Sequence, residues 1–367
     1  MNNNSIFEEF KKGEATINIF NSVYLGQIFE ADSLQGLNIN DIQTAVDLSN
    51  RPIFTDGVVA RLNALGVDCK TEDTEIILEE VKHRYKERIG DVCPRTILEW
   101  LRGTPPSTNN RENNYNLCYA LEMTLHETAE FFLKCFLTVP FNYKDRTDAV
   151  FFYCLSHGRP YSTIKLMLEK AEHFASSQTV STQTLQIGRQ ILEIDDDEEF
   201  LQYLSLHCYD NEQQYQLARE EIVNLINLHS NGNFSRFHEE LMGFNYQHAK
   251  RHHKKINKDL PSHFIESLPT DGVLKQIYEG KKVSYETIRK ALIILQLYDF
   301  YEDVYEENEK YIRDSLEDFY VATNALLMKC GLAHLYVRHP FDWIIIFCAL
   351  STEPLEVFRD LNSQRYV

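Results

Sequence analysis

Ten prolines and fourteen glycines in 367 residues leave few positions for turns, in keeping with a mainly helical protein whose apolar residues recur at helical spacing. Long apolar runs are absent too. The longest, Trp343 to Leu350 (WIIIFCAL), is far short of the ~20 residues that cross a bilayer, so it reads as a buried core segment and no membrane partner is expected. Positive charge is scarce, with 37 Lys and Arg against 55 Asp and Glu and a net charge of −18, which opposes indiscriminate attraction to polyanions. The eight cysteines form no CxxC pair. The histidine pairs His248/His252 and His334/His339 therefore lack the thiolates of a zinc finger, and buried free thiols in a reducing compartment are expected, with no metal and no cofactor. There is no GxGxxG, no P-loop (Gly272 and Gly280-Lys281 are wrongly spaced) and no GxSxG elbow, so the commonest signatures of nucleotide and hydrolase chemistry are missing and a non-enzymatic role is expected. The opening MNNNSIFEEFKK has no basic, apolar, then small order, which leads to the expectation of a cytoplasmic protein.

What is present is helical periodicity. Apolar stripes run through Leu78, Val81, Tyr85 and Ile89, through Tyr215, Ala218, Ile222 and Leu225, and through Tyr285, Ile288, Leu292 and Leu295 at the spacing of one helix face. The expected fold is all-α, a multi-helix bundle. Asp195 to Glu199 precedes Phe200, Leu201 and Leu204 as an acidic first helical turn. The aromatic groups Phe151-Phe152-Tyr153 and Tyr298, Phe300 and Tyr301 are expected in the core. The one strand candidate is Ala15 to Phe20 (ATINIF). Breaks near residues 50–56, 103–110, 230–233 and 257–269 suggest an N-terminal region over 1–70, a module over 71–160, a helical insert over 161–260 and a C-terminal module over 261–367.

The two modules echo one another. Val92-x-x-x-Thr96-Ile97 recurs as Val283-x-x-x-Thr287-Ile288, Leu133-Lys134-Cys135-x-Leu137 as Met328-Lys329-Cys330-x-Leu332, and Pro140-Phe141-Asn142 with Cys154 beyond as Pro340-Phe341-Asp342 with Cys348 beyond. The separations are 191, 195 and 200 residues, in constant order. An internal duplication is the expectation, and a pseudo-two-fold monomer and a homodimer both remain open.

Charge segregates along this chain. Between Lys82 and Arg111 stand Lys82, Arg84, Lys86, Arg88, Arg95, Arg102 and Arg111 against Glu87, Asp91 and Glu99, and Lys250 to Lys255 with Lys258 is a second basic run. The opposite sign dominates Asp299 to Asp318. In the first basic window a helix stops at Gly90, Pro94 is suited to the start of the next helix, and Thr96-Ile97-x-x-Trp100-x-x-Gly103 is followed by Pro105-Pro106-Ser107 and Tyr115-x-Leu117-Cys118-x-Ala120-Leu121. This resembles the helix-turn-helix family of Cro and the lambda repressor, in which a Thr-Ile-x-x-Trp-x-x-Gly helix precedes Pro-Ser and a helix ending in Ala-Leu. Three departures stand out: Lys86 replaces a small residue, Asp91 lengthens the turn, and Pro-Ser lies one position closer to the Trp. The resemblance implies a sequence-specific regulator of double-stranded DNA. Arg95, Thr96, Glu99 and Arg102 would then lie on or beside the groove-facing surface, while Lys82, Arg84, Lys86, Arg88 and Arg111 would contact phosphates. A rival expectation follows from the net charge: an acidic interaction protein, of the kind that mimics nucleic acid in phage counter-defence, acting on a protein partner without binding DNA.

Overall fold

The computed structural model describes residues 54–104, 106, 110–174, 184–243, 268–270, 272–302, 312–336, 339–349, 351 and 353–364. The strand candidate at 15–20, the basic run from Lys250 to Lys258, the pair His248/His252 and the middle of the acidic stretch (303–311) lie outside them. The described residues form sixteen α-helices and no strand, as the apolar periodicity leads one to expect. None of these helices is long and apolar enough to cross a membrane.

The chain divides into two compact units between Gln213 and Gln214. This differs from the divisions suggested by the turn signals: the segment 161–260 is not set apart as an insert, and its helices are shared between the units.

The first unit holds α1 (Phe54–Ala64), α2 (Thr74–Ile89), α3 (Arg95–Leu101), α4 (Arg111–Ala120), α5 (Leu125–Phe131), a π-helical turn over Phe132–Phe136, α6 (Arg146–Ser156), α7 (Tyr161–Glu172), α8 (Thr184–Glu193) and α9 (Asp197–His207). Local chemistry starts several of them. Thr124 and Glu127 cap α5 reciprocally, the Glu127 N–H donating to Thr124 Oγ1 and the Thr124 N–H to Glu127 Oε2, a capping box. Asp196 accepts the N–H groups of Glu198 and Glu199 at the start of α9, so the acidic run is a helix cap, as its sequence position suggests. The core is aromatic: Tyr115 stacks on Phe132 at 4.4 Å and on Phe151 at 4.7 Å between ring centroids, and Phe151, Phe152 and Tyr153 are fully enclosed.

The second unit contains α10 (Asn211–Ser230) from Gln214 onward, α11 (Phe234–Met242), α12 (Val273–Tyr278), α13 (Tyr285–Glu302), α14 (Ile312–Lys329), α15 (Pro340–Ala349) and α16 (Pro354–Ser363). Helix α13 is buried over Ala291 to Leu295, and the apolar run on α15 is enclosed by the protein, in line with a helix apolar on all sides. All eight cysteines are free and buried. Desolvation pushes the Cys93, Cys135, Cys154 and Cys330 thiols up to about 12.

Candidate nucleic-acid interface

Helix α2 buries Ile77, Leu78, Val81, Tyr85 and Ile89, the stripe predicted from spacing, and packs on α4. It ends at Gly90, whose φ of 85° lies in the left-handed region that glycine enters without a Cβ penalty. The Gly90 N–H closes on the Lys86 carbonyl, and Lys86 Nζ donates to the Gly90 carbonyl at 3.0 Å. After Asp91, Val92 and Cys93, Pro94 precedes α3 in an extended conformation that its ring favours.

Helix α3 has two faces. Ile97, Trp100 and Leu101 are buried, and Trp100 meets Phe54 of α1 edge-to-face at 5.9 Å and Phe136 at 6.1 Å, a geometry aromatic quadrupoles favour. Arg95 and Thr96 are exposed on the first turn and Arg102 at the C-cap. Glu99 is half-buried and accepts Arg95 Nε at 2.8 Å. Arg102 makes no ion pair among the described residues, and the helix is held by its buried face, leaving these side chains outward.

The remaining sequence-predicted cations are more occupied. Lys82 pairs with Glu79 at 2.7 Å. Arg84 reaches Glu80 at 2.7 Å and Glu122 at 2.9 Å, and Arg88 joins it on Glu122. Glu122 is thus a shared anion for two arginines, held at the turn after α4 where Arg61 donates to the Leu121 and Glu122 carbonyls and to Glu127. Sequence reasoning missed it because it lies beyond the basic window, and Glu79 and Glu80 lie just before that window. With these acids the local charge is closer to balance than the window Lys82 to Arg111 implies.

Arg111 is a correction. It is buried and held on Asp148, with Nε at 2.8 Å from Oδ1, while Nη2 reaches Asp148 and donates to the Val139 carbonyl at 3.0 Å. It begins α4 facing the loop before α6 and so cannot meet a phosphate at the surface. A guanidinium supplies enough donors to satisfy both a carboxylate and a carbonyl inside a core. Asp148 was not singled out from the sequence, yet a signal existed: Asp-x5-Cys occurs at Asp148/Cys154 and again at Asp342/Cys348.

No group of three or more His, Cys, Asp or Glu side chains suited to a metal occurs among the described residues. A shallow depression of about 500 Å³ lies beside α1 and α5, bordered by Gly57, Ala60, Arg61, Met123 and Phe131, away from the outward face of α3. Comparison with known proteins yields no relative: no family model, curated protein or solved structure matches the chain.

Proposed function

We propose that the first unit binds double-stranded DNA in a sequence-dependent manner through α3, and that the protein is a non-enzymatic regulator. The observation that supports this reading is the division of α3 into a buried Ile97/Trp100/Leu101 face and an exposed set comprising Arg95, Thr96 and Arg102. A helix held by one face against a core can present arginines to guanine edges in the major groove, and Lys86, exposed on the adjacent helix, is the cation we assign to phosphate. The Glu122 pairs restrain Arg84 and Arg88, so specific contacts rather than bulk electrostatics carry the affinity. The test is recovery of bound duplexes from a random-sequence library at near-physiological salt, with Arg95→Glu and Arg102→Glu alongside. Enrichment of one motif, lost in the variants, is the expected result; a folded protein that enriches nothing refutes the reading.

A second reading is favoured by a different observation: Val92, in the turn between α2 and α3, is 82% exposed, beside arginines that Glu122 and Glu99 partly balance. Such a surface suits a protein partner. Isolation of a stable complex with a nucleic-acid enzyme, with no DNA affinity of the protein alone, supports this alternative.

A further inference from the structure

Arg95 is held differently from the arginines of the preceding helix. Arg84 gives Nη1 and Arg88 gives Nη2 to Glu122, so each guanidinium is engaged at its outer fork. Arg95 is engaged at Nε alone, 2.8 Å from Glu99 Oε1, and neither Nη1 nor Nη2 has a partner among the described residues. Its side chain is 89% exposed, which leaves the open fork in solvent.

Glu99 is suited to this hold because its own place is fixed. It lies between Leu98 and buried Trp100 at the end of α3, and its side chain is less than half exposed. Its carbonyl accepts the N–H groups of Arg102 at 3.0 Å and Thr104 at 3.1 Å, which ties the backbone beneath it to the turn that follows.

Helix stability does not account for the pair. An ion pair four residues apart on a solvent face contributes little, and this one has its cation in the first turn and its anion toward the last, the order the helix dipole disfavours. Phosphate binding does not account for it either, since a carboxylate beside an arginine repels the backbone of any duplex. What the arrangement supplies is a planar pair of donors, oriented at its root and open at its end. Such a fork matches O6 and N7 of guanine in the major groove, and orienting it beforehand lowers the cost of ordering a long side chain on binding.

Arg102 provides the comparison within the same helix. It is exposed and has no ion partner among the described residues. Seven positions from Arg95, it lies within about 20° of the same face and about 10 Å further along the axis, a distance of about three base pairs. The two arginines therefore face different bases, one restrained and the other not.

We infer that Glu99 is a positioning residue, which holds the Arg95 fork for a guanine edge and makes that base pair more strictly specified than the one Arg102 faces. This rests on the DNA reading of α3, and the experiment separates the two. Enrichment from a random-sequence duplex library is carried out with the full chain as wild type, Arg95→Ala, Arg95→Lys, Glu99→Ala, Arg95→Ala/Glu99→Ala and Arg102→Ala, and the enriched duplex is then titrated by fluorescence anisotropy at several salt concentrations. In the wild-type motif we expect one guanine whose preference falls roughly tenfold or more in Arg95→Ala and also in Arg95→Lys, which keeps the charge and loses the fork. Glu99→Ala is expected to relax the same position several-fold and leave the others as they are, while the salt dependence steepens by about one as the released Arg95 reaches phosphate. In the Arg95→Ala background, Glu99→Ala is expected to change base preference no further, the sign that it acts through Arg95. Melting midpoints by circular dichroism are expected to match the wild type, because both side chains lie on the solvent side of α3.

Base preference unchanged in Glu99→Ala, or reduced equally in both backgrounds, overturns the inference. A loss spread over every position together with a lowered melting midpoint assigns Glu99 to holding the helix and overturns it as well. In either case, relaxation of a separate position by Arg102→Ala leaves the α3 reading intact, whereas failure of the wild-type protein to enrich any motif overturns both.

Discussion

Arg289 grips Asp342 by both ends of its fork, Nη1 to Oδ1 at 2.8 Å and Nη2 to Oδ2 at 2.7 Å, inside the second unit. The pair is not isolated. Arg289 also serves the carbonyls of Ala333 and His334, Asp342 accepts the Tyr336 N–H, and His339 Nδ1 lies 3.2 Å from Asp342 Oδ1. The network ties α13 to the loop before α15, so the carboxylate organises backbone groups that would otherwise be buried without partners.

Removing one partner leaves the other charge buried. Arg289→Met is expected to destabilise the second unit by about 3–5 kcal/mol. A double replacement, Arg289→Met/Asp342→Leu, is expected to recover little, because the Ala333 and His334 carbonyls and the Tyr336 amide lose their partners as well. Chemical denaturation followed at Trp343, with Trp100→Phe to silence the only other tryptophan, measures this; full recovery in the double variant would show that the ion pair is replaceable.

Acid acts on the same network. Burial alone pushes the Asp342 carboxyl up, but the Arg289 guanidinium and His339 outweigh it and hold it well below the usual carboxylate range. Buried Glu286 is also lowered, by His339, Arg289 and Lys290. A carboxyl lowered by folding contributes stability that is complete above its unfolded value of about 4 and is lost as pH falls toward its folded value. The second unit is therefore expected to lose stability below about pH 4, read from Trp343 emission, and Asp342→Asn should flatten that dependence while lowering stability at neutral pH.

Glu122 restrains two arginines at once. Glu122→Gln is expected to free Arg84 and Arg88 for phosphate, raising affinity for the enriched duplex several-fold and steepening its salt dependence by about one to two. Binding that is unchanged in Glu122→Gln would show that neither arginine approaches DNA. The same measurement on Glu79→Gln, whose partner Lys82 lies on the same helix face, tests whether the effect is confined to the Glu122 pair.

Trp100 is the anchor of α3. Trp100→Ala removes its contacts with Phe54 and Phe136 and is expected to cost about 3–5 kcal/mol, with loss of sequence preference as α3 loses its seat. Trp100→Phe, which keeps an aromatic ring, should retain both in large part. Denaturation midpoints together with duplex enrichment check the pair of variants.

Much of this was legible in residue spacing. The stripe Leu78, Val81, Tyr85 and Ile89 and the pairing of Ile97 with Trp100 follow from the 3.6-residue period, which puts such positions on one face whatever lies opposite. The acidic first turn of α9 and the stop at Gly90 are equally local. Arg111 is the instructive failure: in sequence it stands at the end of a basic window and reads as one more surface cation, and nothing nearby indicates that a carboxylate 37 positions later will enclose it. Glu122 escaped notice for the same reason, since charge counted along the chain omits acids brought in by folding.

What the sequence by itself determined is the helical class, the faces the helices bury, their caps and the candidate reading helix, because these depend on neighbours within a turn or two. Tertiary structure decided which cations remain available and where one unit ends and the next begins. Arg111–Asp148 and Arg289–Asp342 are contacts between residues distant in the chain. Such pairings are set by which groups can satisfy one another once water is excluded, and that condition exists only after the helices have packed.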